Sequence, residues 1–282
     1  MNEHGARLSG ALRRVATAVV SVPIFAWIVV AAPMWVFALL VVTTAAIGLW
    51  ELTRLHQRAG YPMYGRVGIA LGTLLTASFV MPLEHGDALV PRATIVMLAL
   101  VAAVFLAAPL ARPGRPAIEP GALTVLGILH VGWFLGHAVL LRRLPEGADL
   151  MLVLVGITWV GETAAYVVGS SVGRHPLAPA ISPRKTVEGA VAQLIGSVIA
   201  AVALGPAWLL PDWSVERALF AGVLLGIVGQ VGDLAESALK RSVGVKDASG
   251  LIPGHGGVLD RIDGLLFNVP AFYYYVRLGG AA

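Results

Sequence analysis

Apolar residues in this chain fall in long blocks, not with the alternation of a half-buried strand or the one-sided stripe of a surface helix. Nine blocks stand out, at residues 15–32, 33–50, 67–83, 93–110, 121–141, 150–173, 187–210, 218–232 and 264–276. Most are close to the ~20 residues an α-helix needs to cross a hydrocarbon core of about 30 Å. Proline marks many of the breaks, at Pro62, Pro91, 113–120, Pro145, Pro183 and Pro211, where it cannot continue a helix. The pattern predicts an all-α, polytopic integral membrane protein with about nine transmembrane helices. The first block follows a polar start carrying Arg7, Arg13 and Arg14. A second block follows almost at once and the chain never turns soluble, so an uncleaved span is expected here, not a secretory signal.

Composition supports the class. Of 282 residues, 57% are hydrophobic and 13% charged, against about 25% charged in soluble domains. The absence of cysteine excludes disulfides and thiolate metal sites. The net charge of +4 is not organised with aromatics as a nucleic-acid surface would be. It is organised by loop. Fifteen of the twenty Lys and Arg lie in alternate loops counted from the N-terminus. By the positive-inside rule these loops, the N-terminus and the polar stretch before the last block are expected to be cytoplasmic. Arg142 and Arg143 run against the rule.

Polar residues inside the blocks are few. His130 and His137 lie seven apart, on one helical face, and are expected to bridge helices. Glu162 sits in Trp159-Val-Gly-Glu162-Thr-Ala-Ala-Tyr166. A carboxylate at membrane depth costs roughly 2.5–3.5 kcal/mol and faces a cavity or a partner. The segment between the sixth and seventh blocks reads as a basic loop, Ser182-Pro-Arg184-Lys185-Thr186-Val-Glu188-Gly189, with cations and hydroxyls beside a helix start that suit phosphate.

The charge concentrates at residues 237–263, which hold two of the three Lys and three Asp. No breaker follows Gly232, so the eighth helix is expected to run on. Asp233, Glu236, Ser237 and Lys240 then share a face at i, i+3, i+4 and i+7, ordinarily a solvated one carrying a Glu236–Lys240 pair. A Pro253-Gly-His255-Gly256-Gly257 turn allows close backbone approach and an anion-binding nest. A helix starting near Val258 would put Asp260 and Asp263 on one face, and carboxylates are the ligands Mg²⁺ takes beside phosphate. Cations, a glycine loop and carboxylates together point to phosphoryl or nucleotidyl transfer on a lipid.

The spaced run Ser237-x-x-Lys240-Arg241-x4-Lys246-Asp247-x5-Pro253-Gly254-His255-Gly256-Gly257-x-x-Asp260-Arg261-x-Asp263 resembles the signature of the phosphatidate cytidylyltransferase (CDP-diacylglycerol synthase) family. Gly232-Asp233-Leu-x-Glu236-Ser237 and Ser182-Pro183-x-Lys185-Thr186-x-Glu188-Gly189 are similar to the family too, and the family shows Asp where this chain has Glu162. The likeness is dense over 159–263. It divides the chain into N-terminal transmembrane helices, 1–150, as scaffold and a catalytic region, 151–282.

The resemblance implies transfer of CMP from CTP to phosphatidic acid, giving CDP-diacylglycerol and pyrophosphate at the cytoplasmic membrane of a bacterium. It implies catalytic roles for Asp233, Lys240, Arg241, Asp260 and Arg261. Substrate would be bound by Ser182, Lys185, Ser237, Lys246, Asp247, His255, Gly256 and Gly257. Asp233, Asp260 and Asp263 would hold Mg²⁺, as one ion or two. It also implies a homodimer. Asp260→Asn is expected to abolish turnover in a chain that still inserts and folds. The motifs of CDP-alcohol phosphotransferases and of polyprenyl transferases are absent. A transporter would place its polar groups at the midplane of repeated halves, which this chain lacks.

Overall fold

The structure is a computed structural model that describes residues 19–83, 88–111, 118–252 and 256–279. Each apolar block becomes a helix: α1 (Val19–Val30), α2 (Met34–Arg58), α3 (Gly65–Ser78), α4 (Arg92–Ala111), α5 (Ile118–Gly127), α6 (Phe134–Arg143), α7 (Gly147–Val172), α8 (Val187–Leu204), α9 (Val215–Ser242) and α10 (Leu259–Gly279). A π-helical segment, Ile128–Trp133, joins α5 to α6 into one rod.

Among the described residues six helices are long and apolar enough to cross a membrane: Met34–Arg58, Arg92–Leu110, Ile118–Arg143, Gly147–Val172, Val187–Leu209 and Val215–Ser242. The other three blocks fall short for different reasons. α1 is described only from Val19. α3 has 14 residues, roughly 21 Å at 1.5 Å per residue. α10 has 21 residues, but Asp260, Arg261 and Asp263 occupy its first turns.

One element was not foreseen. The basic segment after α7 is not an open loop but an antiparallel hairpin, β1 (Pro176–Ala178) with β2 (Ser182–Thr186). β2 runs straight into α8, whose N-cap is Thr186, its hydroxyl accepting from the Gly189 N–H at 3.2 Å. Capping of this kind satisfies one of the four free N–H groups that open every helix. Ser214 does the same for α9.

α7, α8, α9 and α10 pack in succession, and α10 also returns against α6. The α8–α9 contact is close because Gly222 has no side chain; a Cβ there would lie 2.6 Å from the Cα of Val198. Polar residues tie the helices where they cross. Asn268 donates to Thr158 Oγ1 at 3.0 Å. His137 places Nδ1 2.8 Å from the Trp133 carbonyl and Nε2 3.0 Å from Tyr274 Oη, the interhelical bridge expected of it. Arg142 and Arg143 have a structural task that explains their place on the wrong side of the charge pattern. Arg142 donates to the carbonyl of Val29 at 2.7 Å, and Arg143 to those of Phe79, Val80 and Met81. They satisfy carbonyls at the C-terminal ends of α1 and α3, which no helical N–H can reach.

Candidate active site

α9 runs unbroken to Ser242, so Asp233, Glu236, Ser237 and Lys240 do share a face. The face is not solvated. Glu236 is 1% exposed and Lys240 8%, because the start of α10 packs over them. Lys240 Nζ lies 2.8 Å from Asp260 Oδ1, 3.3 Å from Glu236 Oε1 and 3.9 Å from Asp263 Oδ2. A single ammonium with three donors thus faces three carboxylates. Asp260 is saturated: its Oδ2 accepts from the N–H groups of Ala248 and Gly257, both at 2.9 Å. From the opposite side His130 comes within 4.0 Å of Glu236. Its Nε2 has no hydrogen-bond partner among the described residues, unlike the satisfied His137.

A second cluster faces a cavity of about 500 Å³ between α7, the hairpin, α8 and α9. Asp233 Oδ2 pairs with Lys185 Nζ at 2.7 Å, and its Oδ1 accepts from Ser237 Oγ at 3.5 Å. Glu162 and Arg184 add the remaining charge to this wall, and Gln193 and Gln230 add two amides. Ser170 and Thr186 add hydroxyls, and Ala165, Tyr166, Leu177 and Leu234 supply apolar surface. Glu162 reaches across to α10, where Gly264 leaves room for it; a Cβ at 264 would fall 2.0 Å from Glu162 Oε1. Asp263 stands between the two clusters. Burial and the charge of Asp233 push its carboxyl up to about 6, against the pull of Lys240, the Gly264 N–H and Arg261.

The residues singled out from the sequence therefore separate into three settings. Lys185, Asp233 and Ser237 belong to the cavity side. Lys240, Asp260 and Asp263 form the ion cluster behind it. Arg241, Lys246, Asp247 and Arg261 are exposed. Arg241 donates to the carbonyls of Ile181 and Val245, at 3.4 and 3.3 Å, and so ties the hairpin turn beside Ser182 to the segment after α9. Lys246, Asp247 and Arg261 form no ion pair among the described residues. Gly256 has φ +80° and closes a bridge to Ile252, whose N–H donates to its carbonyl at 2.8 Å. Gly257 is buried. His255 lies outside the described residues, as do Pro253 and Gly254. Among the described residues no three acids or histidines converge as a metal-binding set; the two oxygens of Asp260 point to Lys240 and the backbone.

Two acids matter more than their sequence setting indicates. Glu236 reads as half of a surface pair and is instead buried at the centre of the ion cluster. Glu51, at the end of the second apolar block, is 1% exposed and binds the start of α10 through Val258 and Leu259. The only signal for Glu51 is an acid directly behind an apolar run, and its partners lie more than 200 positions away.

A model of the cytidylyltransferase family matches residues 12–279. The phosphatidate cytidylyltransferase of Bacillus subtilis is 30% identical over 269 residues, covering 94% of this chain and 97% of that protein. The phosphatidate cytidylyltransferase of Synechocystis sp. is 31% identical over 273 residues, 86% of this chain and 89% of its own. The uncharacterized protein YnbB of Escherichia coli is 42% identical over 167 residues, 56% of this chain and 55% of YnbB, so the chain spans about half the length of that relative. The likeness is not confined to residues 159–263 but takes in the N-terminal helices as well. With the family model and two relatives spanning nearly the whole chain, the protein belongs to the cytidylyltransferase family.

Proposed function

We propose that this protein is a CTP:phosphatidate cytidylyltransferase, transferring CMP from CTP to phosphatidic acid to give CDP-diacylglycerol and pyrophosphate in phospholipid biosynthesis. The observation that carries the reading is the cavity. One wall holds Arg184, Lys185, Asp233 and Glu162, with Ser170, Thr186, Gln193 and Gln230 beside them; most of the remaining surface is apolar, and the cavity opens among helices built to cross a membrane. An amphiphile with an anionic head matches both halves of that lining.

In the reaction an oxygen of the phosphatidate phosphate forms a bond to the α-phosphorus of CTP, and the bond from that phosphorus to the β-phosphate bridge breaks. A phosphate monoester is already nucleophilic near neutral pH, so catalysis is mainly orientation and charge neutralisation. Lys185 and Arg184 meet the phosphates at the cavity wall, while Arg261, Lys246 and Arg241 add positive charge on the exposed side. Ser182 and Ser237 donate hydrogen bonds, and the glycines around His255 approach phosphate oxygens. Lys240 acts from behind, holding Asp260 and Asp263 in place.

The carboxylates fit Mg²⁺ by their chemistry. Glu162 and Asp233 line one cavity wall, Asp263 stands at the ion cluster behind it, and the ion pairs to Lys185 and Lys240 leave carboxylates in excess. Asp233 and Asp263 would hold the ion, with Glu162 beside them, whereas Asp260 is committed to Lys240 and two N–H groups. When bound, Mg²⁺ neutralises the triphosphate and the leaving pyrophosphate.

The test is direct. Purified protein with CTP, phosphatidate and Mg²⁺ should make a CMP-linked lipid and release pyrophosphate. No nucleotide in lipid with any divalent metal would refute the reading. The same proposal places nine spans in a bacterial cytoplasmic membrane with the site facing the cytosol, as the loop charges imply. A cysteine at Gly244 should then be inaccessible to an impermeant thiol reagent outside intact cells. The homodimer belongs to the same reading and predicts twice the protomer mass in detergent.

A further inference from the structure

We infer that Glu51 is a positioning residue for the reaction: a carboxylate delivered from α2 that caps α10 and sets where Asp260 and Asp263 stand. The first N–H groups of a helix have no intrahelical acceptor. In α10 they are claimed from a distance. Glu51 Oε1 accepts from Val258 N at 3.0 Å and Oε2 from Leu259 N at 2.8 Å, and Oε1 also receives the Ser249 hydroxyl. Asp260 meanwhile takes the Gly257 N–H. The two carboxylates together account for three successive N–H groups, and the negative charge also suits the positive end of the helix.

Glu51 touches neither the cavity nor the ion cluster. It acts through the backbone of the turn that carries Asp260. The fit leaves no slack, because a Cβ at Gly257 would lie 2.6 Å from Glu51 Oε1 and 2.8 Å from its Oε2. No other residue type reproduces this arrangement. Glutamine has one acceptor oxygen, so its NH₂ would oppose the N–H of Leu259 or of Val258. Aspartate is one methylene short. A shift of about 1 Å in a catalytic group can cost on the order of a hundredfold in rate.

This inference rests on the proposed cytidylyl transfer, and wild-type activity separates the two: an inactive wild type defeats the reaction, not the role of Glu51. With an active wild type, Glu51→Gln should lower kcat by about a hundredfold, with KM for CTP and phosphatidate within about twofold. Hydrogen exchange should quicken at 248–260 and remain unchanged in α7, α8 and α9. Gly257→Ala, which displaces the same carboxylate from the other side, should show the same loss. The double variant should be no worse than either alone, since both remove one interaction. Activity of Glu51→Gln within twofold of wild type overturns the proposal, and so does a double variant in which the losses multiply. Should Glu51→Gln fail to fold, Gly257→Ala decides alone: slower turnover with local exchange upholds the role, and unchanged turnover overturns it.

Discussion

Lys240→Met removes one ammonium and keeps most of its hydrocarbon stem, so the substitution isolates charge from packing. In the folded protein that ammonium is within 4 Å of three carboxylates and is 8% exposed. Its loss leaves Glu236 almost fully buried with no cation, while Asp260 keeps its two backbone donors and Asp263 keeps the N–H of Gly264. Breaking a buried ion pair from one side costs about 3–5 kcal/mol. Asp260 is cushioned by its remaining hydrogen bonds, so Glu236 carries most of the penalty. A loss of about 3–5 kcal/mol in unfolding free energy is therefore expected, measured by denaturant titration in detergent.

The compensating variant sharpens the test. Glu236→Gln should be tolerated far better than Lys240→Met, because it removes a charge from a cluster already rich in acid. Combined with Lys240→Met it should restore a substantial part of the lost stability, giving a coupling energy of about 1–3 kcal/mol. If Lys240→Met unfolds within 1 kcal/mol of wild type, or if the two substitutions simply add, the buried cluster is not held together by its charges.

Gly264→Ala should abolish CMP incorporation while leaving the helices folded, because its methyl group would occupy the space taken by Glu162; retained activity removes Glu162 from the site. Lys185→Met should slow incorporation at least tenfold and weaken CTP binding, measured as KM, since it takes the cation from Asp233 at the cavity wall. Gly222→Val should destabilise by about 1–3 kcal/mol through overpacking against α8, read from the denaturation midpoint, with little change in KM. Asp260→Asn should cost stability as well as turnover, because its amide would place NH₂ against Lys240 or against the N–H groups of Ala248 and Gly257; an Asn variant as stable as wild type refutes the anchoring role.

That last expectation revises what Asp260 looks like in the sequence. There, Asp260 and Asp263 are equivalent acids three residues apart. In the structure one is saturated by Lys240 and two N–H groups, and the other stands between the ion cluster and Asp233. Spacing predicts a shared face, but it cannot assign the donors that come from 248 and 257. The predominantly helical fold and, among the described residues, six of the nine expected spans were legible because apolar blocks of this length have few other uses, and the run-on of α9 was legible because no residue after Gly232 breaks it. The hairpin was not, since a three-residue strand has no pattern to detect and Pro183 argues for a turn. Arg142 and Arg143 contradict the charge rule for a reason visible only when the carbonyls of Val29 and Phe79–Met81 are placed beside them.

Glu51 and Glu236 mark the limit of reading in sequence order. Each lies where local context supplies an innocent explanation, Glu51 at the end of a span and Glu236 four residues before Lys240. Their burial comes from α10, which packs against α2, α6, α7 and α9. The region 1–150 contributes two side chains beside the acids of the site. It supplies Glu51 to the helix that carries Asp260 and Asp263, and His130 to the side of Glu236. A site whose charged residues are concentrated between 182 and 263 is held in register by residues from the half of the chain with the fewest motifs. Variants that exchange the N-terminal helices for those of a relative should therefore stay active only if Glu51 and the apolar seat around it are carried over. An active chimera lacking an acid at that position would break this connection between the halves.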